Sequence, residues 1–334
     1  MIRLSVRLAS IAALVAFSLS VFEAAAQQQV PPAPEQTPSV VTVPTGPAPT
    51  AAPVFPKPDP LNFTAASPTK EAIDAFLQAS WGYDESRIWQ VQGILKTPVE
   101  GISKVVVFVG DKTGKMKPTA LLFFALPDGK HIIAGDDVIP FGERPFAEYR
   151  AQLQQRADGP YRGSASKDLE LVEFADFQCP HCKEAQANME KLAVDFPKAR
   201  IIFQPFPLER IHPASKTAAA YGVCVTKQGG SNAYFQFASA VFDGQDGLAT
   251  PDGATMTLNS AVAKAGLDPV KIKVCSITPE AVAAVDASIK LAMDLNLVQV
   301  PTLMVNGRNV PANAPYETIK QIVVYQAKLD GVVQ

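Results

Sequence analysis

The spacing of apolar residues changes period along the chain, and each change predicts an element. Ile73, Phe76 and Leu77 recur at steps of three and four, the stripe of an amphipathic helix, with Ser67 as its N-cap and Pro68 at its first position. Runs rich in β-branched and aromatic side chains at 104–109 and 119–126 read as strands. Asp128-Gly129 makes a tight turn into His131, Ile132 and Ile133. One helix and several antiparallel strands predict a small α+β unit over residues 68–158. A turn-rich connector at 159–168 leads to a second series. It comprises a strand at 169–174, a helix from 179 to about 196, a strand at 200–206 and a helix-rich stretch at 213–295. A strand at 300–305 then turns at Asn306-Gly307 into 308–310, and Ile319, Ile322, Val323 and Ala327 mark a closing amphipathic helix over 316–329.

The N-terminal region has a different character. Arg3 and Arg7 precede an almost wholly apolar stretch at 8–22, and Ala24-Ala25-Ala26 offers a small-residue cleavage site. This predicts a signal peptide over residues 1–26 and an exported, periplasmic protein. An uncleaved anchor is the rival, but the apolar stretch is shorter than the roughly 20 residues that a spanning helix needs. Residues 27–67 are dense in proline, which supports neither a helix nor a sheet ladder, and they read as a disordered, semi-rigid linker. The whole chain has 334 residues, 47% of them hydrophobic, and a formal net charge of −2. That balance excludes a generally basic nucleic-acid binder and a polybasic membrane-surface protein.

The informative chemistry is Cys179-Pro180-His181-Cys182. Haem attachment requires His directly after the second Cys, where Lys183 stands. A structural zinc site requires four ligands, usually two close pairs, and the other cysteines, Cys224 and Cys275, form no second pair. A redox dithiol requires the pair between a strand and a helix, which is where it falls. Cys179 at the helix N-terminus is stabilised as a thiolate by unpaired N–H groups and the helix dipole. A protonated His181 adds positive charge beside it, and Pro180 suits the first helical turn. Cys182, further into the helix, is the resolving thiol. No cofactor or metal is called for. His131 reads as a structural histidine without an evident partner, and His212-Pro213 as a helix-start turn.

The order strand, helix, strand, helical insertion, hairpin and helix is that of a thioredoxin fold. The fold class expected is therefore an α/β thioredoxin fold with a helical insertion over residues 165–334, preceded by the small α+β domain. The box and the preceding Glu173-Phe174-Ala175-Asp176-Phe177-Gln178 resemble the bacterial Dsb family of exported thiol–disulfide oxidoreductases, and the C-P-H-C dipeptide resembles that of DsbA-type oxidases. The resemblance implies that Glu173 moves protons to and from the buried Cys; an ordinary strand-end carboxylate is the plainer reading. It also implies that Val300-Pro301-Thr302 is a cis-Pro loop docking substrate backbone, and that Cys224 and Cys275 form a structural disulfide, with a pair of free thiols, disfavoured outside the cytoplasm, as the rival. The α+β unit, with Pro127-Asp128-Gly129-Lys130-His131-Ile132-Ile133, is similar to the dimerisation domain of DsbC and DsbG, which would allow a homodimer and suit an isomerase. Val300 before Pro301 leans the other way, towards an oxidase.

Two function classes follow. The first is an exported enzyme that forms or isomerises disulfides in unfolded or misfolded proteins through a mixed disulfide, served by a membrane redox partner. The second is a non-catalytic chaperone-like or metal-handling binder on the same scaffold, whose activity would survive Cys179→Ala.

Overall fold

The computed structural model describes residues 55–114 and 117–332, which lie within one unit spanning Pro49–Gln334. The signal peptide expected at 1–26, and the linker up to residue 54, lie outside the described residues. Among the described residues no helix is long and apolar enough to cross a membrane.

Two five-stranded sheets organise the chain. The first contains β1 (Arg87–Lys96), β2 (Ser103–Asp111), β3 (Thr119–Ala125), β4 (His131–Ala134) and β5 (Asp137–Pro140), antiparallel neighbours in chain order. Helix α1 (Lys70–Trp81) lays Ile73, Phe76 and Leu77 on Val91, Val105, Val107, Phe123 and Ile132. The helix starts two residues later than Ser67-Pro68 suggested. Thr69 is its N-cap, accepting from the Ala72 N–H at 3.2 Å, and Ser67-Pro68 is a cis peptide outside it. Residues 55–67 are also not free linker. Phe55 meets the Phe108 ring, the Pro56 carbonyl accepts from Gln92 at 3.0 Å, and Phe63 bridges to Ile94.

The second sheet has the order β10-β9-β7-β8-β6, built from β6 (Tyr161–Gly163), β7 (Glu170–Ala175), β8 (Arg200–Pro205), β9 (Thr302–Val305) and β10 (Arg308–Pro311). Strand β7 is buried along its whole length, parallel to β8 and antiparallel to β9. Helix α2 (Ala147–Arg156) precedes these strands, α3 (Pro180–Asp195) and the insertion helices α4 (Ser215–Asp243), α5 (Pro251–Lys264), α6 (Pro269–Ser276) and α7 (Pro279–Asp294) run between them, and α8 (Tyr316–Leu329) closes the chain. Leu171 faces α3 and α8 through Leu192 and Ile319, while Val172 and Phe174 face α2 and α7 through Leu153 and Leu291. The division at residue 158 therefore needs correction. Helix α2 packs on the second sheet, and the supposed connector at 159–168 contains that sheet's edge strand β6. At the β9–β10 turn, Gly307 has a φ of +89°, and a Cβ there would lie 2.4 Å from the Phe146 carbonyl oxygen, so only glycine fits.

Arg308 joins the two sheets' packing units. Its guanidinium donates to the carbonyls of Ala79 and Ser80 at the end of α1, the latter at 2.7 Å, and to Gln326 Oε1 at 3.0 Å. It also lies 4.3 Å over the Phe146 ring. These bonds satisfy carbonyls that a helix end leaves open. Arg308→Ala is expected to cost about 3 kcal/mol, because it removes several charge-assisted bonds and leaves buried carbonyls unpaired. Denaturant unfolding would show the loss, and limited proteolysis should release the α1 segment first.

Candidate active site

The dithiol sits where β7 hands over to α3. Cys179 is the N-cap residue of α3 with extended backbone angles, Pro180 is its first helical residue, and the N–H groups of Cys182 and Lys183 turn back to the Cys179 carbonyl at 3.1 and 3.3 Å. Proline costs nothing there, because its missing N–H would have had no intrahelical partner. Both cysteines are thiols in this structure, with Cys179 6% exposed and Cys182 fully buried.

Their acidities are pushed apart. The Cys182 thiol donates to Cys179, and this bond, joined by the backbone N–H groups of Cys182 and His181, lowers Cys179 from an ordinary 9.0 to about 6 against burial and the Asp176 carboxylate. Burial and the same donated bond push Cys182 far up. The two thiols are thus distinguished by one shared proton and one helix end. The His181 ring is exposed and meets Glu184 at 3.0 Å, which raises its pKa, with a smaller raising contribution from the charge on Cys179, and its backbone N–H also bonds Cys179.

Glu173 lies six residues before Cys179 on β7 and is 3% exposed. Burial pushes its carboxyl up to about 7, with the Arg162 guanidinium on β6 and a 2.8 Å bond from Gln186 on α3 pulling it back. A carboxyl that folding raises from 4.5 to about 7 contributes no cost below 4.5 and its full cost above 7, so the fold loses stability as pH rises between the two. Glu173→Gln is expected to abolish that loss, leaving the oxidised variant on the order of 3 kcal/mol less sensitive than the parent between pH 4.5 and 8. Unfolding by denaturant at several pH values would check this, and parallel curves would contradict it.

Val300-Pro301 is a cis peptide immediately before β9, whose Thr302 pairs with Phe174 of β7; Val300 packs against the apolar cluster that holds both thiols. Cys224 on α4 and Cys275 on α6 are joined as a disulfide with an S–S length of 2.01 Å. His131 has a partner after all, Asp128 at 2.6 Å, and the pair belongs to the β3–β4 turn. Several site residues carried no signal in the sequence. Gln245, after α4, donates to the carbonyls of Phe177 and Cys179 at 2.8 and 3.0 Å. Gln178 spans the Leu248 carbonyl and the Ala214 N–H. His212, read as a turn residue, bonds the buried Asp176 carboxylate at 2.9 Å. Each partner is tens of residues away, so no local spacing could announce the contact. Among the described residues no group of three or more His, Cys, Asp and Glu side chains is placed to hold a metal ion.

A family model described as thioredoxin matches residues 155–324, about half of the chain. Among curated proteins, the Na(+)/H(+) antiporter NhaA 1 of Mycolicibacterium vanbaalenii is 33% identical over 169 residues, which is 49% of this chain and 24% of that protein. The antiporter NhaA 1 of Mycolicibacterium gilvum is 31% identical over 49% of this chain and 25% of its own. The chain thus spans about a quarter of the length of these relatives. Among solved structures, a thioredoxin-like oxidoreductase from Silicibacter pomeroyi is 26% identical with a TM-score of 0.46, covering 54% of this chain and 97% of that one. A periplasmic thioredoxin-like protein from Salmonella enterica is 20% identical with a TM-score of 0.46, again over 54% and 97%. With the matched residues running from the end of α2 into α8, across the whole of β7 and α3 where the dithiol lies, the chain belongs to the thioredoxin family.

Proposed function

We propose that the protein is an exported thiol–disulfide oxidoreductase that donates the Cys179–Cys182 disulfide to folding proteins. A substrate thiolate attacks the Cys179 sulfur, the bond to Cys182 breaks, and Cys182 leaves and takes up a proton. A second substrate thiolate then attacks the substrate sulfur of the mixed disulfide and releases Cys179 as a thiolate. Two electrons pass to the protein, and a membrane-bound disulfide oxidant is the class of partner that would remove them. In that return step Cys182 must give up its proton. Glu173, buried, near 7 and electrostatically coupled to Cys182, is the base for it. Pro301 and Val300 serve as the loop on which substrate backbone docks.

The observation that carries this reading is Cys179 at about 6. A thiol moved from 9.0 to about 6 stabilises the reduced form at pH 7 by on the order of 1 kcal/mol, which biases the couple towards oxidising its substrate. The same acidity makes Cys179 a good leaving group from a mixed disulfide.

The oxidised full chain should convert reduced, unfolded ribonuclease to the disulfide-bonded form at a rate that Cys179→Ala does not sustain. The pre-reduced chain, given scrambled ribonuclease, tests the isomerase reading that a DsbC-like dimer would favour. Reactivation well above the Cys179→Ala control would replace the donor assignment with an isomerase in which the first sheet's unit pairs two copies. Leu122, Phe124 and Val138, exposed on that sheet, are the observation that favours such pairing.

A further inference from the structure

Asp176 is bonded through both backbone and side chain to the active-site turn and to what packs on it. It is 1% exposed and lies between β7 and Cys179. Its backbone is bonded to both cysteines: its N–H donates to Cys182 Sγ at 3.4 Å, and its carbonyl accepts from the Cys179 N–H at 3.1 Å. Its carboxylate accepts from the N–H groups of Gln178 and Leu208, both at 2.7 Å, and from His212 Nδ1 at 2.9 Å. The side chain therefore ties the turn before α3 to the segment between β8 and α4.

A buried negative charge is a costly way to build that tie. With burial, it opposes charge on the Cys179 thiolate, which the Cys182 thiol and the backbone N–H groups of Cys182 and His181 promote. Backbone N–H donors fix the carboxylate but cannot cancel its charge. The His212 ring can both donate to it and, being partly exposed, share that charge with solvent.

We propose that Asp176 and His212 act together as positioning residues for the dithiol. In this arrangement Asp176 fixes the turn that presents Cys179, and His212 offsets the carboxylate's opposition to the thiolate. The inference rests on the thiol–disulfide chemistry proposed above, but its test reads the sulfur directly and needs no protein substrate.

Thiolate formation at Cys179 would be followed by ultraviolet absorbance and by iodoacetamide alkylation across pH, in the full chain and four variants. With Gln178 and Leu208 still donating, His212→Ala leaves the carboxylate in place and uncompensated. The midpoint of thiolate formation should then move up by about one pH unit, with about tenfold slower alkylation below it. His212→Asn, whose amide N–H falls near the position of Nδ1, should recover most of that loss. Asp176→Asn should move the midpoint down, and adding His212→Ala to it should change nothing further. An unmoved midpoint in His212→Ala, or an equal shift with and without Asp176→Asn, would overturn the proposal. If Asp176→Asn does not fold, the contrast between His212→Ala and His212→Asn decides the matter alone, and equal midpoints reject it. Should ribonuclease oxidation fail while these shifts appear, the donor assignment falls and the couple stands.

Discussion

The full chain carrying Cys179→Ala is expected to exchange disulfides no faster than the uncatalysed reaction. Cys182→Ala has no disulfide to donate; given a protein that already carries disulfides, its Cys179 thiolate is expected to attack one of them and stall as a mixed disulfide. The asymmetry follows from the site: Cys179 is held near 6 at the helix N-terminus, whereas Cys182 is fully buried and pushed far up. Only the first can be a thiolate at neutral pH and an attacking group. Without the second, the mixed disulfide has no internal thiol to resolve it, and the adduct should accumulate as a band on non-reducing gels that reductant removes. The parent's alkylation rate should rise with pH through a midpoint near 6. Two results would defeat the assignment: activity surviving Cys179→Ala, as a non-catalytic binder would show, or a midpoint near that of an ordinary thiol.

The second large effect concerns stability. Cys224 and Cys275 close a loop of 51 residues between α4 and α6. In the chain-entropy treatment, opening a loop of that size releases about 4 kcal/mol of denatured-state freedom. The paired variant Cys224→Ala with Cys275→Ala should therefore unfold at lower denaturant by about that amount. Cys224 lies in the apolar cluster that also holds Cys179, Cys182 and Phe177, so the insertion's looser packing should reach the active-site turn. Gln245 is the link, since it bonds the Phe177 and Cys179 carbonyls. Thermal or denaturant unfolding of oxidised parent and variant would measure the loss, and a difference below about 1 kcal/mol would mean that the insertion is held by packing alone.

Much of the second unit was legible from local pattern. The run before Cys179, the helix after it, the 200–206 strand, the Asn306-Gly307 turn and the closing helix each declare themselves through period, turn chemistry or both, and α8 falls at Tyr316–Leu329 as expected. The first unit was harder to read. Strand β1 carries no clear period because a bulge between Val91 and Gly93 breaks the alternation that marks a strand, and Gln92 there is buried with its amide on the Pro56 carbonyl. Strand β6 is only three residues long, too short to show a period, and α2 has one fully buried apolar residue, Leu153. Neither carries enough pattern to say which sheet it joins.

What the amino-acid order determined by itself is the place of Cys179 and Cys182 between a strand and a helix and the sequence of elements around them, because both depend on spacing along a few turns of chain. Tertiary structure decided the environment that gives those sulfurs their different acidities. Glu173 acquires its place beside Arg162 and Gln186, and Asp176 its bond to His212, only when β6, β8 and the insertion close around β7. Burial and charge act through space, between residues whose separation in the sequence carries no periodic signal, and so the titration of this site is a property of the folded chain.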